Sequence, residues 1–253
     1  MAGRTLDILA GRQRAMLGRF ATGNTLLAFD YDGTLAPIVS SPDRAHMHVR
    51  TRALLRKVAH RYPTIAVSGR PRDDVAARLR GIPLRLVFGN HGGEPPMRSA
   101  PVRVREWVRR LTERLAEAPG VVIEDKVFTV AIHYRRARNK AAALGRIHAA
   151  LEGLHGVRVL GGVEAVALLP TGGPDKGVAL QRARRLLGCD RAVYVGDDET
   201  DEVAFRSDRA TRLLAVRVGR VESSAARYHL ACQEDIDGLL QQLLDFRSRW
   251  PRV

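Results

Sequence analysis

Short, mostly apolar runs alternate with stretches of helical periodicity along most of the chain. Residues 26–29, 64–67, 84–88, 192–195 and 213–218 are rich in Leu, Val, Ile and Ala and have the length of buried strands. Helical spacing fills much of the sequence between them, at 49–61, 71–80, 176–187 and 200–206. Buried strands alternating with helices predict an α/β fold on a parallel sheet. The tail, 235–249, repeats Leu at helical intervals and is expected to pack on that sheet. The first twenty residues interleave Arg4, Asp7, Arg12, Arg14 and Arg19 with apolar positions. They read as an amphipathic helix, not as a signal peptide.

Two turn-rich joints interrupt the alternation. One is Gly92-Gly93-Glu94-Pro95-Pro96, the other Pro170-Thr171-Gly172-Gly173-Pro174. Gly and Pro clusters suit hinges. Between them the order changes: helix at 102–118, strands at 121–123 and 128–134, helix at 139–154, strands at 157–160 and 163–169. The expected organisation is a core built from 1–96 and 170–253, with 97–169 inserted as a small α+β cap.

Composition narrows the function classes. The chain has 253 residues, 45% hydrophobic and 27% charged, in the range of a globular protein with a sizeable core. No run approaches the eighteen apolar residues of a membrane span. Cys189 and Cys232 form no CxxC pair and read as reduced thiols, which suits a cytoplasmic location. The net charge is +15, yet only Lys57, Lys126, Lys140 and Lys176 are lysines among 42 basic residues. Arginines spread along the chain, with only 5% aromatics, are a poor nucleic-acid platform. The expectation is a monomer with no nucleic-acid or membrane partner and an anionic small-molecule substrate.

The chemistry sits where strands end. In an open α/β sheet, ligands bind beyond the carboxyl ends of the strands. The first run leads into Asp30-Tyr31-Asp32-Gly33-Thr34. Asp30 is placed to attack, and Asp32 to protonate a leaving oxygen. Gly33 permits the turn, and the Thr34 hydroxyl suits phosphate. After the second run come Ser68-Gly69-Arg70-Pro71, where the Ser68 hydroxyl and the neighbouring backbone N–H at Gly69 form an anion site ahead of a helix. Lys176, at a helix start after Asp175, carries the charge that neutralises a phosphorylated carboxylate. Gly196-Asp197-Asp198-Glu199-Thr200-Asp201-Glu202 crowds acids that repel unless a cation lies among them. Hard oxygen donors point to Mg²⁺, held by Asp30, the main-chain carbonyl of Asp32 and Asp197. The competing reading is a helix capped by Thr200, with Asp201 and Glu202 facing its dipole.

These four motifs, in this order, resemble the haloacid-dehalogenase-like (HAD) phosphatases. GDDETDEVAF at 196–205, DYDGTLAPIV at 30–39, Ser68-Gly69-Arg70 and Asn90-His91-Gly92 resemble the trehalose-6-phosphate phosphatase family within it. The likeness runs from about 26 to 205. It implies a Rossmann-like core with an inserted α/β cap, and Mg²⁺-dependent hydrolysis of trehalose 6-phosphate through an aspartyl-phosphate. It implies that Asp198 and Asp201 orient the metal surroundings and Lys176, and that Arg70 and His91 meet substrate. It also implies that Glu124, Lys126 and Arg135, in Glu124-Asp125-Lys126 and Ile132-His133-Tyr134-Arg135, read sugar hydroxyls.

One stretch departs from the family. Its cap usually ends in Glu-x-Arg-Pro, where this chain has Ala167-Leu168-Leu169-Pro170. Glu164 is three residues out of register, and on a strand an odd shift faces the other side. A missing hydroxyl-reading carboxylate alters sugar choice without touching the phosphate chemistry. A related sugar or pseudodisaccharide phosphate is therefore the alternative substrate. A non-catalytic basic binding module is disfavoured, because every catalytic position is filled.

Overall fold

The computed structural model describes residues 5–39, 41–94, 101–162, 164–221 and 223–249. Seven parallel strands form the main sheet: β1 (Leu6–Asp7), β2 (Thr25–Phe29), β3 (Thr64–Val67), β4 (Leu86–Phe88), β9 (Arg191–Gly196), β10 (Leu213–Val218) and β11 (Tyr228–Leu230). Their order is β1-β11-β10-β9-β2-β3-β4. The chain leaves β2 towards β3 on one side, while β9 lies on the other, so β2 borders the point where the winding reverses.

Alternation along each strand sends side chains to two helical layers. Leu27 and Phe29 of β2, with Val193, Val195, Leu214 and Val216, pack below the sheet. There they meet α1 (Arg14–Ala21), α2 (Val49–Arg61), α3 (Arg72–Arg78) and α8 (Ile236–Arg249). Leu26, Ala28, Ala192 and Tyr194 face the other way, onto α6 (Lys176–Leu186) and α7 (Asp201–Phe205). Both faces of the central strands are covered, which is why they read as apolar runs. The Tyr62 hydroxyl, just past the end of α2, lies 3.0 Å from the carbonyl of Ala21 and 2.8 Å from that of Leu243 and shares its one proton between them, linking three helices of the lower layer.

A second, antiparallel sheet comes from the segment between β4 and α6. It contains β5 (Val122–Asp125), β6 (Val130–His133), β7 (Val157–Gly162) and β8 (Ala165–Pro170), ordered β5-β6-β8-β7. One of its faces packs on α4 (Pro101–Arg114) and α5 (Lys140–Leu151) through Trp107, Leu111, Val130, Ile132, Ile147 and Leu168. Asn139 caps α5 by accepting from the amide of Ala142. The joint expected at 92–96 runs past the described residues after Glu94.

The α/β expectation holds, and most core elements fall within two residues of their predicted bounds. The first twenty residues differ. Leu6–Asp7 is an edge strand parallel to β11, followed by a 3-10 turn at Gly11–Gln13 and then α1. Two residues are too few for a periodic signal, and it is pairing with Tyr228 and His229 that makes them a strand. β11 was missed for the same reason. The helix expected over 102–118 ends at Arg114, and Pro71 precedes the first turn of α3 instead of opening it.

Tyr62→Phe should remove the hydroxyl proton shared by the carbonyls of Ala21, at the end of α1, and Leu243, and cost about 1 kcal/mol. Denaturant unfolding reads that loss, and kcat should stay unchanged because Tyr62 lies under the opposite layer.

Candidate active site

Asp30 follows the last residue of β2, Ser68 follows β3, and Asp197 follows β9, so three neighbouring strands deliver the motifs to one rim. Lys176 arrives from the first residue of α6. It is 2% exposed and enclosed by carboxylates. Its Nζ lies 2.8 Å from Asp201, 3.3 Å from Asp30 and 3.8 Å from Asp198. Burial works against a charged lysine, but these three acids overcome it and hold the ammonium well above its usual range.

The acids respond unequally. Burial raises Asp30 well above the usual carboxylate range; Lys176 opposes this, and Asp201, Asp197 and Asp198 reinforce it. Asp197 is pushed up to about 8 by burial and by Asp201 and Asp198. Burial also opposes ionisation of Asp198, yet Lys176 and the Thr200 hydrogen bond bring it down to about 2. Asp201 settles at about 6, raised by burial and held back by Lys176. Asp30, Asp197 and Asp201 each place a carboxylate oxygen within 4.8 Å of the others. Excess buried negative charge on hard oxygens is a donor set that fits a small divalent cation.

Asp201 is already committed to the protein. One oxygen accepts from Lys176 and from the Tyr194 hydroxyl (2.7 Å), the other from the amides of Asp197 (3.0 Å) and Asp198 (3.1 Å). Asp198 accepts from the amides of Thr200 and Asp201 and from the Thr200 hydroxyl (2.6 Å). The loop end is therefore capped by Asp198, whereas the Thr200 side chain makes no capping bond of its own. Close approach explains two glycines. A Cβ at Gly33, where φ is +76°, would lie 2.1 Å from the Asp197 carboxylate. One at Gly196 would lie 2.2 Å from that of Asp201.

The remaining predicted residues fall into two groups. Beside the acids, the Thr34 hydroxyl points to Asp197 at 3.4 Å, and the Ser68 hydroxyl accepts the amide of Arg70. Arg70 grips both oxygens of Asp32, each at 2.7 Å, and reaches Asp74 with its third nitrogen. Its donors are thus on protein carboxylates. His91 is buried against Gly69, with a left-handed backbone (φ +56°). Across the cleft, Lys126 donates to the Gly69 carbonyl (2.9 Å) and lies 3.5 Å from Glu124. Arg135 donates to the Val39 carbonyl and pairs with Glu164. Glu164 sits in the β7–β8 turn at φ +55°, tied to Arg135 and Lys140, and takes no place on β8.

Comparison decides the family. The family described as trehalose-phosphatase matches residues 28–234. A probable trehalose-phosphate phosphatase 3 of Oryza sativa is 30% identical over 262 residues, covering 90% of this chain and 71% of its own. The chain belongs to the trehalose-phosphatase family. It is a hydrolase of phosphoric monoesters. Among solved structures, the C-terminal domain of C. albicans trehalose-6-phosphate phosphatase superposes with a TM-score of 0.80 at 20% identity, over 96% of this chain and 99% of that one. A sugar phosphatase of HAD subclass IIB gives 0.61 at 16% identity, over 88% and 98%. These place the fold among HAD enzymes.

Sequence reasoning missed several residues of this trehalose-phosphatase-family site. Tyr194 was hidden inside an apolar strand. Gln233 donates to the Thr34 carbonyl from far along the chain. His133 contacts Glu124 at 2.8 Å, and Glu199 accepts the Gly161 amide at 2.8 Å. His133 carried a signal through its place beside Arg135 in the quoted stretch, and Glu199 through its place in the acidic stretch at 196–205.

Burial, with Lys176 and Lys126 nearby, lowers His91 to about 3 from its ordinary 6.5. The unfolded chain then binds the extra proton between these values, so stability is complete above about 6.5 and falls as pH drops towards 3. His91→Asn tolerates the left-handed backbone and removes this proton linkage. The wild type should lose more unfolding free energy than His91→Asn between pH 7 and pH 5, as measured by urea titration at each pH.

Proposed function

We propose that the protein hydrolyses trehalose 6-phosphate to trehalose and phosphate through an aspartyl-phosphate. The observation that carries this reading is the buried Lys176 beside Asp30, within a motif set matched by the trehalose-phosphatase family. Asp30 attacks phosphorus; the new bond is between its carboxylate oxygen and phosphorus, and the bond broken is that to the sugar oxygen. Asp32 gives that oxygen a proton. In the second half, Asp32 takes a proton from water as the water attacks phosphorus, and Asp30 departs as carboxylate. Because Arg70 holds both Asp32 oxygens, one of those bonds must yield before Asp32 can carry the proton.

Lys176, the Ser68 hydroxyl, the Gly69 amide and the Thr34 hydroxyl surround the phosphoryl oxygens and stabilise the charge that develops there. Asp30, Asp197 and the main-chain carbonyl of Asp32 would hold Mg²⁺, which when bound supplies positive charge to the phosphoryl group. The four hydrogen bonds to Asp201 support a role outside the ligand set, where it fixes Lys176 and the loop. The segment 97–169 acts as a cap over the core formed by 1–96 and 170–253. Glu124, Lys126 and Arg135 face the cleft from it, and closure excludes water while the sugar is held.

Asp30→Asn should abolish turnover, with a loss of about 1,000-fold or more in phosphate release. In metal-free protein the same change should raise the melting temperature, because burial, with the neighbouring acids, makes ionisation of Asp30 costly in the fold although Lys176 opposes this. Residual turnover within tenfold of wild type would contradict nucleophilic catalysis by Asp30.

Chelation should abolish phosphate release, and Mg²⁺ should restore it. Ca²⁺ should not, since its larger and looser coordination shell disturbs in-line geometry. Full activity in excess chelator would contradict the metal assignment.

A further inference from the structure

Strand register places four side chains in one row across the second sheet. Glu124 pairs with Ala131, Ala131 with Ala167, and Ala167 with Leu160. Directly paired residues share a face. The other face packs on α4 and α5 through Val130, Ile132, Val166 and Leu168, so this row looks towards the catalytic core. The next row on the same face pairs Val122 with His133, His133 with Ala165, and Ala165 with Gly162.

The two ends of this face differ in chemistry. At the β5–β6 end, Glu124 and His133 lie 2.8 Å apart, both partly open to solvent. Lys126 joins them and bonds the Gly69 carbonyl, which fastens this end to the loop expected to hold phosphate. At the β8–β7 end stand Ala165, Ala167, Leu160 and Gly162, none with a polar side chain. The polar groups nearest that end are tied to the core by one bond each. Arg158, opposite Leu169, donates one nitrogen to Asp175 at 2.9 Å; its other two nitrogens are buried without a hydrogen-bond partner and are closed off from the cleft surface. Glu199 takes the Gly161 amide.

We propose that this face reads the two rings of its substrate unequally. Glu124, His133 and Lys126 hydrogen-bond the phosphate-bearing ring, and the Ala131–Ala167–Leu160 surface holds the other ring by contact alone. The substrate class is a hexose 6-phosphate whose second ring has a loosely specified hydroxyl pattern, and His133 is an additional specificity-determining residue. This rests on the disaccharide-phosphate reading above. The physical reason is asymmetric: a group built to bond a hydroxyl strongly rejects a substrate lacking it, whereas an apolar surface discriminates weakly.

The test is kcat/KM, in the Mg²⁺-supplied full chain, for trehalose 6-phosphate and for analogues epimerised or deoxygenated at single hydroxyls of either ring. Changes on the phosphate-bearing ring should cost about 100-fold, and changes on the second ring less than about tenfold. His133→Ala should shrink the losses on the first ring and leave those on the second unchanged. Ala167→Glu should create discrimination on the second ring. Second-ring losses equal to or larger than first-ring losses in the wild type would overturn the proposal, whether or not either variant folds. If every disaccharide phosphate were inert while a small aryl phosphate was hydrolysed, the disaccharide reading itself would fall, and this inference with it. That outcome is recognisable because the whole panel fails together.

Discussion

The ammonium of Lys176, sealed among Asp30, Asp198 and Asp201, is the interaction on which the rest of the site depends. Four acids, Asp30, Asp197, Asp198 and Asp201, converge where three strands end, and burial alone would force them to take up protons. One internal cation lets part of the cluster stay ionised. It also fixes the geometry, because Asp201 holds Lys176 with the oxygen that accepts from Tyr194 and holds the 197–198 amides with the other. The lysine helix, the acid loop and β9 are thereby locked through a single carboxylate. A lysine is otherwise rare in this arginine-rich chain, and here its compact point charge is shared among three carboxylates.

Charge left over after Lys176 is counted makes Asp30, Asp197 and Asp201 a donor set that could hold a divalent cation. Asp197 and Asp30 remain raised even with the lysine in place, so their ionised forms are stored at a cost to folding. The glycines at 33 and 196 let these carboxylates press against backbone where any side chain would collide. Stability is surrendered locally so that charge stands at the strand ends, where the proposed phosphoryl group would be held, the usual relation between active sites and the folds that carry them.

The core and its four motifs were legible because each rests on local signals. Apolar runs mark β2, β3, β9 and β10; three motifs begin where a run ends, and the fourth, at Lys176, opens a helix. β1 and β11 were not legible, since two- and three-residue strands exist only through pairing. Side-chain commitments were not legible either. Ser68-Gly69-Arg70 reads as an anion loop, and nothing in its sequence says that Arg70 turns back onto Asp32 and Asp74. Glu124 and Lys126 were visible as a motif, while the bond from Lys126 to Gly69 depends on how the second sheet lies over the first. The departure at Ala167 and Leu169 was visible from the start. Its meaning came only from the register, which sets Ala167 between Ala131 and Leu160 and sets Leu169 opposite Arg158.

Polar contacts between the two sheets share one property: they end on the loops that carry the chemistry. Lys126 reaches the Gly69 carbonyl, Arg135 the Val39 carbonyl, Arg158 the carboxylate that caps the lysine helix, and the Gly161 amide the acid loop at Glu199. Asn90, next to His91, closes the set by donating to the Lys126 carbonyl. Most of these bonds use a main-chain partner, so their strength depends on where the backbone lies and little on which side chains flank it. In the proposed reading Lys126 serves both the core contact and the sugar, since its Nζ bonds the Gly69 carbonyl and lies 3.5 Å from Glu124. The rim of the second sheet carries the bonds to the core, and the inward face between the rims is the surface the proposed sugar would touch. A change such as Ala167, in the middle of that face, can alter what is bound without loosening how the two sheets meet.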